Sequence, residues 1–536
     1  MGGVPGRAVP WAALGVLMAL TAGAATLEVV TAPASPVPAA AAAARRRPEP
    51  PSPPSVSPVR TPPATVTPVT VVPAVPPGPP NPAPPGPLSV DAAAWAGHGD
   101  LAFVSSGQLE VLSDAGTVTA VTGPPPGGFD SNPAWSSDGR WLAFLHTGPP
   151  NGFAIPAATL WLVQAGSTGA VRVGTSGVTT YAWSPVTPVL GFALANSSAT
   201  AAPMPEYIGI EQPGGAPRLI EVGTGAGIGD IAWSPGGQLG FDDSQFARPA
   251  TPTAAASPPY GRIGTVDPAK GTVTTALQLT ETELRLGGWW PDGGGFLFWE
   301  DPGFAEAADG EVLYSVAVGS TQPVAMTKSL VGSTWISLNP DPGRNLVAVM
   351  AGMDREIWSP GREVDVCTLP TATCSGIGVP VGSEGLAPSW APDGGLYFAE
   401  ASNSGPFGPT GNAFWSPGWM AQWDATNTMW KTAVGGNPAP LLQAPAGTVA
   451  AVPAAASSSV PAVLFVADDA IWLANPTLGA PAVRVAGPLF STAAPSGYYG
   501  EVDWTAALAW SAAPVSGQSS AQLLDESLSV GESQTP

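Results

Sequence analysis

Positive charge is what this sequence has least of. Its 536 residues include 18 Lys or Arg against 39 Asp or Glu, a net charge of −21, and only three of the cations are lysines (Lys270, Lys328 and Lys431). Nucleic-acid binding needs a basic stripe to neutralise phosphates, so it is excluded. Histidine is as scarce, with His98 and His146 alone. Neither stands in an HExxH pattern, which leaves zinc-peptidase chemistry without support. There is no GxSxG elbow for a hydrolase nucleophile, and Gly223-Thr224-Gly225-Ala226-Gly227 lacks the spacing and the lysine of a phosphate loop. Cysteine is limited to Cys367 and Cys374. Two thiols and two distant imidazoles are too few to build a metal centre. The cysteine pair reads as a disulfide across a hairpin, which suits an exported protein, or as two free buried thiols.

Glycine and proline, by contrast, number 66 each. Spread this densely they break helices, which excludes an all-α protein or a coiled coil. Yet 44% of the residues are hydrophobic and 20 are Trp, enough to bury a sizeable core. Abundant turn formers with aromatics and little charge point to many short strands. The two ends differ from the rest. Residues 8–27 are apolar and uncharged after Arg7, so segment 1–30 reads as a signal peptide cleaved near Ala22-Gly23-Ala24, or as an uncleaved membrane anchor. Arg45, Arg46 and Arg47 downstream count against an anchor whose following chain is outside. Segment 31–87, with 21 prolines between Pro33 and Pro87, reads as a disordered, polyproline-like linker. Segment 512–536 reads as a disordered tail.

Between them lies a repeat. Trp135-Ser136-Ser137-Asp138-Gly139 leads to Phe144, and the unit recurs at Trp183 with Phe192, Trp233 with Phe241, Trp289 with Phe298 and Trp390 with Phe398. Trp95 leading to Phe103 is a worn copy, and in all six the Phe follows the Trp by 8 or 9 residues. Degenerate copies start at Leu338 and Val452. In each unit a strand ends at the Trp, a Ser-Pro-Asp-Gly turn reverses the chain, and an apolar strand returns with the Phe. Two more strands fill the interval. Four antiparallel strands per 40–50 residues is the signature of a propeller blade. Segment 88–511 is therefore expected to be an all-β propeller, with eight blades on the anchor count and seven as the alternative. The stretch Glu501–Trp510 is a ninth partial copy that completes the first blade and seals the ring.

The Trp-Ser-Pro-Asp-Gly units resemble the repeats of TolB-like, WD-like β-propellers, which also form the non-catalytic propellers of prolyl-oligopeptidase-type peptidases. The resemblance covers about residues 88–511 and implies protein–protein contact at the cell envelope. No hydrolase domain follows the repeats here, and no separate N-terminal α/β domain of the TolB kind is recognisable.

With strands running A, B, C, D in each blade, the Ser-Pro-Asp-Gly turns fall on one face and the long B–C loops on the other. That second face is where a propeller is expected to bind. Its loop at 400–429 carries Phe407, Phe414, Trp415, Trp419 and Trp423, and the loop at 350–362 carries Trp358. These aromatics are either a satellite core or stacking surface for a ligand. Asp242, Asp243, Glu300, Asp301 and Glu400 end B strands on the same side, with Asp130, Asp230, Glu283 and Glu384 near D–A connections. A carboxylate ring could hold calcium, or it is solvated surface charge; no other cofactor is expected. The function expected from sequence is an exported, monomeric, non-catalytic platform binding an envelope protein or a cell-surface glycan, held to the membrane if the N-terminal segment stays uncleaved. A carbohydrate-active enzyme using these carboxylates is the alternative. No catalytic residue is assigned.

Overall fold

The computed structural model describes residues 92–511 except 150–156, 175–176, 195–203, 226, 246–259, 281, 302–309, 328, 353–360, 403–424, 442–446, 453–461, 475–480, 488 and 490–503. They form eight four-stranded antiparallel sheets, the blades of a propeller ring. This settles the count at eight rather than seven. Blades 2 to 8 each use four consecutive strands; in blade 2 strands A to D are Phe129–Trp135, Trp141–Thr147, Thr159–Gln164 and Val171–Val173. Blade 1 is assembled from both ends of the ring. Asp100–Ser105, Gln108–Leu112 and Val118–Ala120 are its B, C and D strands, and Leu508–Ser511 is its A strand, paired with Asp100–Phe103. Trp95 does not end a strand, as its repeat position suggested. It closes a four-residue helix, Ala92–Trp95, because Trp510 already occupies the A-strand place. No helix among the described residues is long and apolar enough to cross a membrane.

The turns form as their composition requires. In blade 2 the Ser136 hydroxyl donates to Asp138 Oδ1 at 2.6 Å, and Asp138 Oδ1 accepts from the Arg140 amide at 3.1 Å. Gly139 has φ 68°, a conformation that glycine adopts without a Cβ penalty. Blade 6 keeps the turn without the Ser: Asn339 Oδ1 accepts from the Asp341 amide at 2.8 Å.

Two repeated contacts hold the blades. Seven of the eight B strands carry a buried Phe; Phe144, Phe241, Phe298, Phe398 and Phe465 have no exposed surface. In blades 3 and 4 the ring lies across a glycine of the neighbouring C strand. A Cβ on Gly209 would stand 2.1 Å from Phe192, and one on Gly264 2.3 Å from Phe241. The second contact joins blades. In blades 2 to 5 the indole N–H of the A-strand Trp donates to the carbonyl of the residue just before the Trp of the preceding blade. The bonds are Trp135 to Ala509 (3.1 Å), Trp183 to Ala134 (2.9 Å), Trp233 to Ala182 (2.9 Å) and Trp289 to Ala232 (2.9 Å). The chain of staples stops at blade 6, where Leu338 replaces the Trp, and Trp390 Nε1 of blade 7 is buried with no acceptor among the described residues. In blades 2 to 8 the A strand also carries a register shift between its loop-side end and the Trp end, for example between Ser131 and Ala134 and between Leu286 and Gly288. A bulge adds twist and re-aims the residues on its far side.

A buried hydrogen bond contributes about 0.5–1.5 kcal/mol net, and an unpaired buried donor costs about 1–3 kcal/mol. Trp183→Phe, which loses an inter-blade bond, is therefore expected to destabilise by about 1 kcal/mol more than Trp390→Phe, which removes a donor that has no acceptor. Urea unfolding of both variants checks this, and equal losses would show that the indole bonds are not the staples.

Candidate functional site

Strand order decides which charged groups meet. Strand A of each blade begins, and strand B ends, on the side of the B–C loops, and A strands of neighbouring blades lie side by side around the axis. Carboxylates at the start of A and the end of B are therefore gathered at the loop-side end of the inner ring. They concentrate in blades 3 to 5. Glu206 lies in Met204–Glu211 (blade 3, C), Asp230 in Ile228–Trp233 (blade 4, A), and Asp242 and Asp243 in Leu239–Gln245 (blade 4, B). Glu283 lies in Glu283–Trp289 (blade 5, A), Glu300 and Asp301 in Gly295–Asp301 (blade 5, B), and Glu283 pairs with Asp301 in register. Among the described residues two cations, Arg262 and Arg285, stand against these seven acids.

Alternation along the B strand of blade 4 sends its adjacent aspartates opposite ways. Asp242 turns toward blade 5. Its Oδ1 accepts from the amides of Gly229 (2.9 Å) and Asp230 (3.1 Å), and its Oδ2 from the Leu286 amide across the seam at 2.7 Å. Burial raises its pKa and the Asp230 charge adds to this, while the three amides work the other way. Asp243 turns toward blade 3. Its Oδ2 accepts from Arg262 at 2.5 Å, and the same guanidinium nitrogen donates to the Val222 carbonyl of blade 3 at 3.0 Å. Glu206 of blade 3 lies near Asp243, whose charge acts on it. Burial, with the Asp243 charge beside it, pushes the Glu206 carboxyl up to about 8. At the rim Arg285 Nε meets Asp230 Oδ2 at 3.2 Å, joining the A strands of blades 4 and 5.

Two further buried pairs lie on the loop side. Glu384, at the start of strand A of blade 7, is fully buried near Arg362 of blade 6, itself 1% exposed. Burial raises Glu384 to about 7, with Arg362 opposing the rise. In blade 2, His146 Nδ1 lies 2.8 Å from Asp130 Oδ1, and Asp130 Oδ2 accepts from the Leu109 amide of blade 1 at 2.9 Å. His146 Nε2 is buried without a partner among the described residues, packed against Gly128, where a Cβ would stand 2.7 Å from it. No hydroxyl or thiol among the described residues completes a nucleophilic triad there.

The sequence-predicted residues divide accordingly. Phe407, Phe414, Trp415, Trp419, Trp423 and Trp358 lie outside the described residues. Asp242 is 2% exposed, and both its oxygens are bonded to backbone amides at the seam of blades 4 and 5. Glu300 is half-buried at the mouth, with Asp301 beside it in sequence. Glu400 of blade 7 accepts from the Thr428 hydroxyl at 3.0 Å. Cys367 and Cys374 stand opposite each other in the C–D hairpin of blade 6 and are joined as a disulfide. Among the described residues no three His, Cys, Asp or Glu side chains converge to hold a metal ion. Glu206, Arg262 and Arg362 were missed by sequence reasoning. Strand C of blade 3 starts at Met204 rather than after 207, so Glu206 read as loop. Arg262 is the third residue of strand Tyr260–Val266 and Arg362 immediately precedes strand Glu363–Thr368, and the scarcity of arginine was the one signal for both.

No family model matches the chain, and no curated protein does. Solved propellers do. The propeller domain of the trilobed protease of Pyrococcus furiosus is 9% identical, covers 67% of this chain and 98% of its own, and has a TM-score of 0.39. Dipeptidyl peptidase 4 of Porphyromonas gingivalis is 10% identical over 76% of this chain and 64% of its own, with a TM-score of 0.43. A putative TolB of Agrobacterium tumefaciens is 16% identical over 52% and 88%, with a TM-score of 0.31. The chain spans about half the length, 52%, of the acylaminoacyl peptidases it also matches. At these identities the likeness shows the fold alone. The expectation was a purely non-catalytic envelope or glycan platform, with a carbohydrate-active alternative, and the matching structures are instead named largely for peptidases. Peptidases recur among the matching structures, with acylaminoacyl peptidases, prolyl endopeptidases and dipeptidyl peptidase 4 all present.

The raised carboxyls set a pH dependence. Glu206 at about 8, and Glu211 and Glu384 at about 7, sit above the 4.5 of an exposed glutamate. The folded chain thus holds protons that the unfolded chain has released, so their stabilisation is complete below 4.5 and is lost as the pH rises through 7 to 8. The urea midpoint is expected to be higher at about pH 5.5 than at about pH 8.5. A midpoint that rises with pH over this window would contradict the assignment.

Proposed function

We propose that this propeller serves a peptidase, as the part that admits and selects peptide chains, with the hydrolytic groups supplied from outside the described residues. The observation that carries the reading is the acidic loop-side mouth of blades 4 and 5, where Asp230, Glu283 and Glu300 are half-exposed and Arg285 is the one described cation at the rim. Such a mouth favours ammonium and guanidinium groups, the charges that a peptide carries at its amino terminus and on Lys and Arg side chains. The net charge of −21 acts in the same direction at longer range. We place the repeats with the TolB-like propellers, and the protein outside the cytoplasm, where a Cys367–Cys374 disulfide persists.

The test is binding of fluorescent peptides to the full chain at low and physiological salt. Peptides with a free amino terminus and a Lys or Arg are expected to bind more tightly than acetylated, acidic analogues, with a preference that shrinks as salt rises. Glu283→Gln with Glu300→Gln should weaken the basic peptides about tenfold, a loss of about 1.4 kcal/mol. Equal binding of basic and acidic peptides, or an unchanged affinity in the double variant, would overturn the reading.

A further inference from the structure

The Glu206–Asp243–Arg262 cluster spans the seam between blades 3 and 4 and has no place in the peptide reading above. Glu206 is 1% exposed and Asp243 not at all. Counted as two carboxylates, the pair is badly satisfied: Glu206 Oε1, Glu206 Oε2 and Asp243 Oδ1 are buried with no protein donor among the described residues. Yet the two carboxyls are neighbours: Glu206 pairs in register with Gly223, where a Cβ would stand 3.7 Å from Asp243 Oδ2. Two ionised carboxylates are acceptors only and repel each other; a hydrogen bond between them requires a proton on one. The formal charges agree. Two buried carboxylates beside one guanidinium leave an uncompensated negative charge, which burial makes costly, and a single proton brings the cluster to neutrality.

The described groups that face Glu206 are few. They are Asp243 and Arg262 of blade 4, the Gly227 amide just before strand A of that blade, and the phenol of Tyr260, whose own pKa is raised by burial, with the charges of Asp243 and Glu206 adding to the rise. Asp242 faces the opposite seam, toward blade 5, and Asp230 and Arg285 pair with each other beyond it. The Gly227 amide favours the ionised Glu206, and the other groups leave the carboxyl pair short of a donor. No third His, Cys, Asp or Glu side chain among the described residues joins the two carboxyls to hold a metal ion, and the Arg262 guanidinium is the cation beside Asp243.

We propose that Glu206 and Asp243 share one proton and form a proton-operated latch across the seam of blades 3 and 4. With the proton in place, the Glu206 carboxyl donates to Asp243, Arg262 bonds both Asp243 and the Val222 carbonyl, and the loop-side end of the seam is closed. Loss of the proton to bulk water leaves two buried anions facing each other across the seam, and the strands that carry them, Met204–Glu211 and Leu239–Gln245, separate at that end. The B–C loops of both blades spring from these strands, so the latch controls how firmly the loop face of blades 3 and 4 is held.

The experiment compares the full chain with Glu206→Gln and Asp243→Asn. In Glu206→Gln the amide N–H replaces the shared proton permanently. Two readouts are used. Infrared difference spectra at neutral pH are expected to show a protonated-carboxyl C=O band in the wild type that Glu206→Gln removes. Hydrogen exchange in peptides covering 204–211 and 227–243, corrected for the intrinsic effect of pH, is expected to accelerate at least tenfold between about pH 6 and pH 9 in the wild type and to stay flat in Glu206→Gln. Asp243→Asn, which keeps a donor for Glu206 but loses the Arg262 pair, is also expected to lose the acceleration, so the test survives if one variant fails to fold. An unchanged carboxyl band in Glu206→Gln, or the same acceleration in the wild type and both variants, would overturn the proposal. Neither result bears on the peptide-binding test.

Discussion

A single blade cannot stand alone. Its sheet has two apolar faces, and each is buried only against the next blade, so the ring forms as a whole or leaves hydrocarbon in water. The B-strand phenylalanines and the A-strand tryptophans are this constraint written into the chain. The indole-to-carbonyl bonds add direction to it: each fixes how far one blade slides on its neighbour, and together they pin blades 1 to 5. Blades 6 to 8 lean more on apolar packing, such as Trp335, Met350 and Leu386 in one cluster and Met429 and Phe465 in another. The closing strand Leu508–Ser511 obeys the same rule, placing Trp510 beside Trp95 in the core of the first blade.

Polar chemistry is confined by that packing to the ends of the strands. On the turn side, side chains satisfy local backbone groups, as Ser136 and Asp138 do. On the loop side they reach across seams: Asp130 to blade 1, Asp243 to blade 3 through Arg262, Asp242 to blade 5. Charge buried at a seam gains little net stability unless its partners are complete. Where they are incomplete, as at Glu206 and Glu384, carboxyl groups are raised into the neutral range. The acidic mouth is the exposed continuation of the same rows, and this is why a seam device and a binding surface occupy adjacent ground.

How much of this was legible depended on the range of the interaction. The Trp-to-Phe spacing is local and periodic, and it announced strands, turns and blade number. The sealing role of the C-terminal stretch was readable for the same reason. Trp95 misled because its spacing to Phe103 fits the repeat while its strand place is held by Trp510, more than 400 residues away in sequence. The seams were not legible at all. Asp242 and Leu286 are 44 residues apart, and Arg262 and Val222 are 40 apart; nothing local marks such partners. Nor does a pair of adjacent aspartates reveal that alternation sends one to each neighbouring blade. The carboxylates could be named from the sequence, but which are buried and which line the mouth required the fold.

Everything rests on the ring being closed by its last strand. Ala102 and Ala509 stand opposite each other where that strand meets the second strand of blade 1, and directly opposed antiparallel residues lie about 4.5–5.5 Å apart at Cα, within reach of a disulfide. Oxidation of the Ala102→Cys, Ala509→Cys variant is the most direct measurement. An intramolecular cross-link between the two introduced cysteines, mapped by mass spectrometry and formed in the native but not the urea-unfolded chain, is the predicted result. Free thiols at both positions in the native protein under the same oxidation would contradict the closed ring, and with it the seams and the mouth built on it.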